Sequence, residues 1–232
     1  MTDLLIIPPD EYIYIPPNIT PLPIEIDSDE PQLETDRHRE QIDILIRLLK
    51  WYWRDRQDFY VTGNLTIYYS QDKIKKRDFI GPDFFVVLGA EKKDRRSWVV
   101  WQEGGKYPNL IVEILSEGTA AIDKKAKKQF YQDIFRTPEY YLFEPYKLEF
   151  EGYRLVGGNY IPMEPNTQGC LWSEQLELYL GLHEEKLRFF TANNDLVLFP
   201  EEEERQRADR ERRLREDLLS RLQAKGIDLG TL

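Results

Sequence analysis

Two stretches decide how this chain is read: Gly81-Pro82-Asp83-Phe84-Phe85-Val86-Val87-Leu88, and Leu110-Ile111-Val112-Glu113-Ile114-Leu115. Each is a short run of β-branched and aromatic residues bounded by turn formers, the pattern of a buried strand. Pro82 stands at the start of the first run, where a strand tolerates proline. Gly104-Gly105-Lys106-Tyr107-Pro108 supplies the turn before the second. Each stretch carries a carboxylate: Asp83 opens the first and Glu113 sits inside the second. A helix is expected next, with Ser116 or Thr119 as N-cap, Ala120, Ala121, Ala126, Phe130 and Ile134 as its apolar positions, and Pro138 blocking its continuation. Asp123, Lys127 and Tyr131 fall at i, i+4 and i+8, on one face of that helix.

These residue types suit metal-assisted phosphodiester hydrolysis. A hard divalent cation needs oxygen ligands, usually one or two carboxylates completed by water. A nearby cation orients the attacking water and offsets charge on the phosphate. Asp83 and Glu113 meet the first need and Lys127 the second. Glu113 inside an apolar strand is costly to desolvate unless it is paired or metal-bound, although alternation also allows a strand whose wet face carries it. Asp123 and Lys127 equally suit an ordinary surface pair. His38 and His183 lie far apart with no ligand spacing around them, and the chain has no phosphate-binding glycine loop and no Gly-x-Ser-x-Gly.

The 232 residues carry a formal charge of -10, with a single cysteine, Cys170, and therefore no internal disulfide. An acidic total argues against non-specific coating of nucleic acid. It leaves room for a locally basic cleft, and basic clusters occur at Lys73/Lys75/Lys76/Arg77, Lys92/Lys93/Arg95/Arg96 and Lys124/Lys125/Lys127/Lys128. No apolar run approaches the roughly 18 residues of a membrane span, and no basic-then-apolar leader opens the chain. A cytoplasmic protein without a membrane partner is expected.

Residues 1–34 hold eight acids, no Lys or Arg, and seven of the fourteen prolines. Their interleaved apolar residues suit an arm packed on the domain or on a second subunit; a mobile acidic leader is the alternative. Residues 36–54 read as a helix with Ile42, Leu45, Leu49 and Tyr52 on one stripe and Thr35 or Asp36 as N-cap. Glu40, near its start, is either an extra acid for the metal or a first-turn acid favoured by the helix dipole. Residues 58–70 suggest two short strands around Gly63-Asn64, or one bulged strand. Arg96–Trp101 reads as a strand or lid whose tryptophans either stack on bases or pack in the core. Tyr140–Phe143 is a strand, and residues 148–161 form a hairpin around Gly157-Gly158. Leu171, Leu176, Leu178, Leu180 and Leu182 belong to a less regular region. Leu187–Phe190 and Leu196–Phe199 flank a hairpin turn at Asn193-Asn194-Asp195. Residues 201–224 form a solvated, charged helix with a leucine edge at Leu214, Leu218 and Leu222.

Taken together, GPDFFVVLG, RRSWVVWQEGGKYPNLIVEILSEGT, the Asp123–Lys127–Tyr131 spacing and TPEYYLFEP resemble the Uma-type restriction endonuclease family, abundant in cyanobacteria, of the PD-(D/E)XK nuclease superfamily. The similarity extends over about residues 36–200 and includes Leu148–Leu155. It implies an α/β (α+β) fold, a mixed sheet flanked by helices, with the N-terminal arm (1–34), the nuclease-like domain (35–200) and the charged tail (201–232) as its parts. It implies that Asp83 and Glu113 bind Mg2+ or Mn2+, with the Ile114 carbonyl as third ligand. The superfamily's lysine usually lies two residues after the second acid, where this chain has Leu115. Lys127 on the next helix fits the placement seen in this family. Glu40 and Asp123 are second-tier site residues. The expected function is a Mg-dependent endodeoxyribonuclease acting on DNA as a homodimer. The rival is a non-catalytic binding or assembly module, which a buried, salt-bridged Glu113 with no room for metal would favour.

Overall fold

The computed structural model describes residues 35–70, 79–115 and 122–224, without the side chains of 122–124 and 223. The arm at 1–34, the basic loop at 71–78 and the helix-cap residues Ser116 and Thr119 lie outside the described residues.

A six-stranded mixed sheet forms the centre, in the order β1-β4-β6-β7-β8-β9. Its strands are β1 (Phe59–Thr62), β4 (Phe84–Leu88), β6 (Leu110–Ile114), β7 (Glu139–Glu144), β8 (Glu149–Val156) and β9 (Asn159–Pro162). Only β6 and β7 run parallel, and the segment between them contains helix α2 (Ile122–Phe130), as a parallel crossover requires. The apolar runs of β4 and β6 are buried on both faces, which explains why they read as continuous rather than alternating.

Two layers cover the two faces. Phe84, Val86, Leu110, Val112, Tyr141 and Phe143 face α1 (Asp36–Tyr52) and a second, three-stranded sheet. Phe85, Val87, Ile111, Tyr140 and Leu142 face the opposite way, toward Tyr131, Phe135 and a small third sheet. Thr35 caps α1 by accepting the His38 N–H at 3.3 Å. Gln41, buried in α1, donates to the Leu187 carbonyl and accepts the Leu187 N–H, both at 2.9 Å, so its amide fastens the helix to the second sheet. After Phe130 the helix continues as a single π-turn, Tyr131–Phe135, ending at Arg136 in the left-handed region (φ 52°).

One expectation changes, one holds in part, and one open alternative is resolved. The region at 171–182 is regular: β10 (Leu171–Ser173), β11 (Leu178–His183) and β12 (Lys186–Phe190) form the antiparallel second sheet. Leu187–Phe190 pairs with β11 on one side; on the other, Leu196 bridges Phe190 and Val197 donates its N–H to the Phe189 carbonyl at 2.9 Å, so the hairpin expected around Asn193-Asn194-Asp195 is present but short. Trp98, in β5 (Trp98–Val99), is wholly buried and donates its indole N–H to the Lys106 carbonyl, so of its two readings the core-packing one holds. β5 pairs with β2 (Ile67–Tyr68), which also pairs with β3 (Phe79–Ile80), completing the third sheet.

Helix α3 (Pro200–Ala224) begins with Pro at a first-turn position and Glu201–Glu203 after it, as its dipole favours. Its start is anchored: Glu202 accepts the Phe199 N–H at 2.8 Å and pairs with the buried Arg188 at 2.7 Å, and Glu201 pairs with Arg47 at 2.9 Å. Further along, Leu214 and Leu218 are exposed.

Candidate active site

Strand register brings the two acids together. Phe84 pairs with Val112 and Phe85 with Ile111, so one step outward Asp83 stands opposite Glu113. By parity both belong to the face of Phe85, Val87 and Ile111, the face that α2 covers. Asp83 is braced from behind. The Asn64 N–H reaches the carbonyls of Pro82 and Asp83 at 3.1 and 3.2 Å. Gly63 lies so close that a Cβ would stand 2.3 Å from the Asp83 carbonyl oxygen and 2.5 Å from Ile42. Only glycine permits that approach.

Asp83 Oδ2 accepts the Ile114 N–H at 2.7 Å. His38 Nε2, from the first turn of α1, lies 3.2 Å from the same oxygen. That contact is at ion-pair distance but lacks hydrogen-bond alignment, and both ring nitrogens of His38 are buried with no other partner among the described residues. Burial works against ionisation of Asp83. His38, the Ile114 N–H and the Lys127 charge together outweigh it and hold the carboxyl below its usual range.

Glu113 is only 3% exposed. Its Oε1 accepts the Tyr131 hydroxyl at 2.7 Å and its Oε2 the Lys127 ammonium at 3.1 Å. Tyr131 is wholly buried, whereas the Lys127 side chain is 29% exposed. Burial, and then the neighbouring charge of Asp83, push the Glu113 carboxyl up to about 8 against the pull of Lys127 and Tyr131. Burial and the Glu113 charge raise the Tyr131 phenol, which keeps it a donor. The two carboxyls are thus driven apart, one ionised and one reluctant to ionise.

Lys127 and Tyr131, one turn apart, meet Glu113 because α2 docks through aromatic contacts. Phe130 lies 5.0 Å from Phe135 and 5.1 Å from Tyr69 between ring centroids, and Tyr131 lies 5.5 Å from Tyr140. The neighbouring lysines do other things: Lys125 is exposed and Lys128 sits over the Tyr153 ring. Glu40 is not brought to this cluster. It pairs with Lys186 beside the second sheet, because two residues beyond His38 is about 200° around a helix. The Asp123 side chain lies outside the described residues.

The donor set fits a hard cation such as Mg2+. Asp83 Oδ1 makes no hydrogen bond among the described residues, and the Ile114 carbonyl points to the same strand edge as its N–H, toward Asp83. No group of three or more His, Cys, Asp and Glu side chains with metal-binding spacing occurs among the described residues. A cation here would therefore draw on two carboxylates, a carbonyl and water, which is the habit of Mg2+. Room at Glu113 requires Lys127 to turn away from Oε2 toward solvent.

A sequence model of the Uma2 family, described as "Putative restriction endonuclease", matches residues 24–192. The chain belongs to the Uma2 family. It is 29% identical over 113 residues to the uncharacterized protein sll1609 of Synechocystis sp., covering 49% of this chain and 59%, less than two thirds, of that relative. The crystal structure of "a putative nuclease belonging to DUF820" from Anabaena variabilis superposes with a TM-score of 0.48 at 13% identity, over 63% of this chain and 78% of that one. As a Uma2 protein, the chain has a restriction-endonuclease-like fold, with the mixed sheet and covering helices described above. Among the described residues no helix is long and apolar enough to cross a membrane.

His38 is the site residue that sequence reasoning missed. Its signal was positional: His38 extends the stripe Ile42, Leu45, Leu49 by one turn, placing a polar ring on the inward face of α1. Of the second basic cluster, Arg95 is committed elsewhere, forked onto Glu103 and stacked on Tyr60 and Trp98.

Proposed function

We propose that this Uma2 protein is a Mg2+- or Mn2+-dependent endodeoxyribonuclease of the PD-(D/E)XK class, working on DNA as a homodimer. The observation that carries the reading is the convergence of Asp83, Glu113 and Lys127, from two strands and a helix, on one end of the sheet. Asp83 Oδ1, Glu113 and the Ile114 carbonyl would hold the cation. When bound, it would polarise the scissile phosphate and make water a stronger nucleophile. Lys127, released from Glu113, would orient that water and offset charge on the phosphoryl oxygens. Tyr131 would stay on Oε1 and fix the carboxylate plane. Water oxygen bonds to phosphorus as one P–O ester bond breaks, and the leaving oxygen takes a proton. Glu40, paired with Lys186, has no part in this scheme; Asp123 remains a second-tier candidate on α2.

One observation favours the rival, a non-catalytic module that retains the fold: both Glu113 oxygens are already occupied, in a buried position. The partial exposure of Lys127 weighs against it, since the group covering Oε2 sits on a side chain that, unlike Tyr131, is not enclosed in the core. A supercoiled plasmid assay separates the two. The nuclease reading expects nicked or linear product with Mg2+ or Mn2+, none with EDTA, and none from Glu113→Ala. A folded wild-type protein that leaves the plasmid intact with both metals refutes it and supports the module.

A further inference from the structure

His38 is the buried polar group at this site that the proposed chemistry leaves unused. Burying imidazole nitrogens without hydrogen bonds costs about 1–3 kcal/mol, so a side chain serving only to pack α1 would be apolar, as Ile42 is one turn later. The ring is instead aimed at a carboxylate. Its Nε2 stands 3.2 Å from Asp83 Oδ2, both side chains being mostly buried at 11% and 14% exposure. The same oxygen already accepts the Ile114 N–H at 2.7 Å. One donated hydrogen bond and one imidazole Nε2 at ion-pair distance therefore converge on Oδ2, while Oδ1 has no hydrogen bond among the described residues.

We propose that His38 is a positioning residue for the cation: with the Ile114 N–H it pins Asp83 Oδ2, leaving Oδ1 as the single oxygen that Asp83 offers to the metal. This rests on the metal-site reading above. Pinning one oxygen fixes the carboxylate plane and prevents bidentate chelation, which suits a small cation that keeps several waters in an octahedral shell. It also ties the site to α1, an element from which none of the proposed ligands comes. Partners of this kind, behind a metal ligand, contribute about 10–100-fold to metal affinity.

Mn2+ binding to the full chain, followed by electron paramagnetic resonance of the free ion and by calorimetry, tests the proposal without any turnover. His38→Leu keeps the bulk and removes the donor; His38→Gln places an amide N–H near the position of the imidazole Nε2. Melting curves establish that each variant is folded. The proposal expects His38→Leu to bind Mn2+ about 10–100-fold more weakly than wild type, His38→Gln to regain most of that loss, and Asp83→Asn to abolish binding. A folded His38→Leu with wild-type affinity overturns it, and so does a folded His38→Gln as weak as His38→Leu, because either makes the ring a packing element. If wild type binds and Asp83→Asn does not, those failures fall on His38 alone. A folded wild type that takes up no Mn2+ refutes the metal site and His38's role with it.

Discussion

Replacing Glu113 by Gln should stabilise the metal-free protein at neutral pH and flatten its response to pH. The folded-state carboxyl is raised to about 8 from an ordinary 4.5, by burial first and the Asp83 charge second. A raised acid favours the protonated, folded form. Its contribution is therefore complete below about pH 4.5, falls as pH rises, and is exhausted above about pH 8. At pH 7 the unfolded chain gains on the order of 3 kcal/mol by ionising this group freely. In a chain of this size that is roughly 6–12 °C in melting temperature. Asp83 works in the opposite sense: its lowered carboxyl lends stability that is lost only as pH falls through the acid range below 3.8. Glu139, raised by burial, adds a slope of the same sign as Glu113, and that slope survives in the variant. The difference between the wild-type and Glu113→Gln curves isolates the group. Gln keeps the acceptor for Tyr131, and Lys127 turns to solvent. Thermal melts in EDTA from pH 5 to 8 should show wild type losing stability relative to the variant as pH rises. Parallel curves would mean that Glu113 ionises normally, and the reasoning from burial and the Asp83 charge would be wrong. If the proposed site takes up Mg2+, saturating Mg2+ should narrow or reverse the order, because the cation would stabilise the ionised carboxylate that only wild type can form.

Two further outcomes concern the lysine and the tail. Lys127→Ala should lower turnover by about 10²–10³-fold, the scale of losing one preorganised donor, while leaving DNA affinity nearly intact; equal losses in both would make Lys127 a phosphate-binding residue. Full-length protein should scatter light as a dimer at micromolar concentration, whereas a chain ending at Pro200 should shift toward monomer if the exposed Leu214 and Leu218 edge takes part; a full-length monomer rejects the dimer, and a dimeric truncation clears the tail.

The parts that could be read from sequence are those whose side-chain pattern alone dictates the element. The run in β6 is apolar because both faces of a central strand are covered, and the stripe on α1 is apolar because one face of the helix is. The β10–β12 sheet escaped because its turns use the wrong residues for their backbone. Glu184 and Glu185 both adopt positive φ, at 49° and 63°, where Asn-Gly would announce a two-residue hairpin. Glu177 does the same at 56° before β11. Non-glycine residues in the left-handed region are held there by the strands they join, and no local propensity reveals them. At 193–195 the turn signal was sound, but the pairing it starts ends after the Leu196–Phe190 bridge and the Val197 N–H bond to the Phe189 carbonyl. The chain then passes through Phe199, held to Glu202, and into α3.

At the site, legibility stops where geometry replaces spacing. The two acids lie at strand positions that parity puts on one face, but pairing partners are tertiary facts, and the one-step register that sets Asp83 opposite Glu113 is written nowhere locally. The lysine shows the consequence. Residue 115 shares the parity of Glu113, so a lysine there would be held by the strand itself. Leu115 instead packs toward the aromatic layer under α2, and the cation arrives from above. Its placement then depends on how α2 docks, through Phe130 on Tyr69, Tyr131 on Tyr140 and Phe135 on Tyr107. A strand-borne lysine is fixed by backbone pairing; Lys127 is placed by the ring packing of the helix that carries it, and its side chain is 29% exposed. Under the proposed metal site, that arrangement would let one side chain both pair with Glu113 in the metal-free state and withdraw when a cation claims the oxygen. Tyr131, one turn on and wholly buried, would stay on Oε1 while it does so.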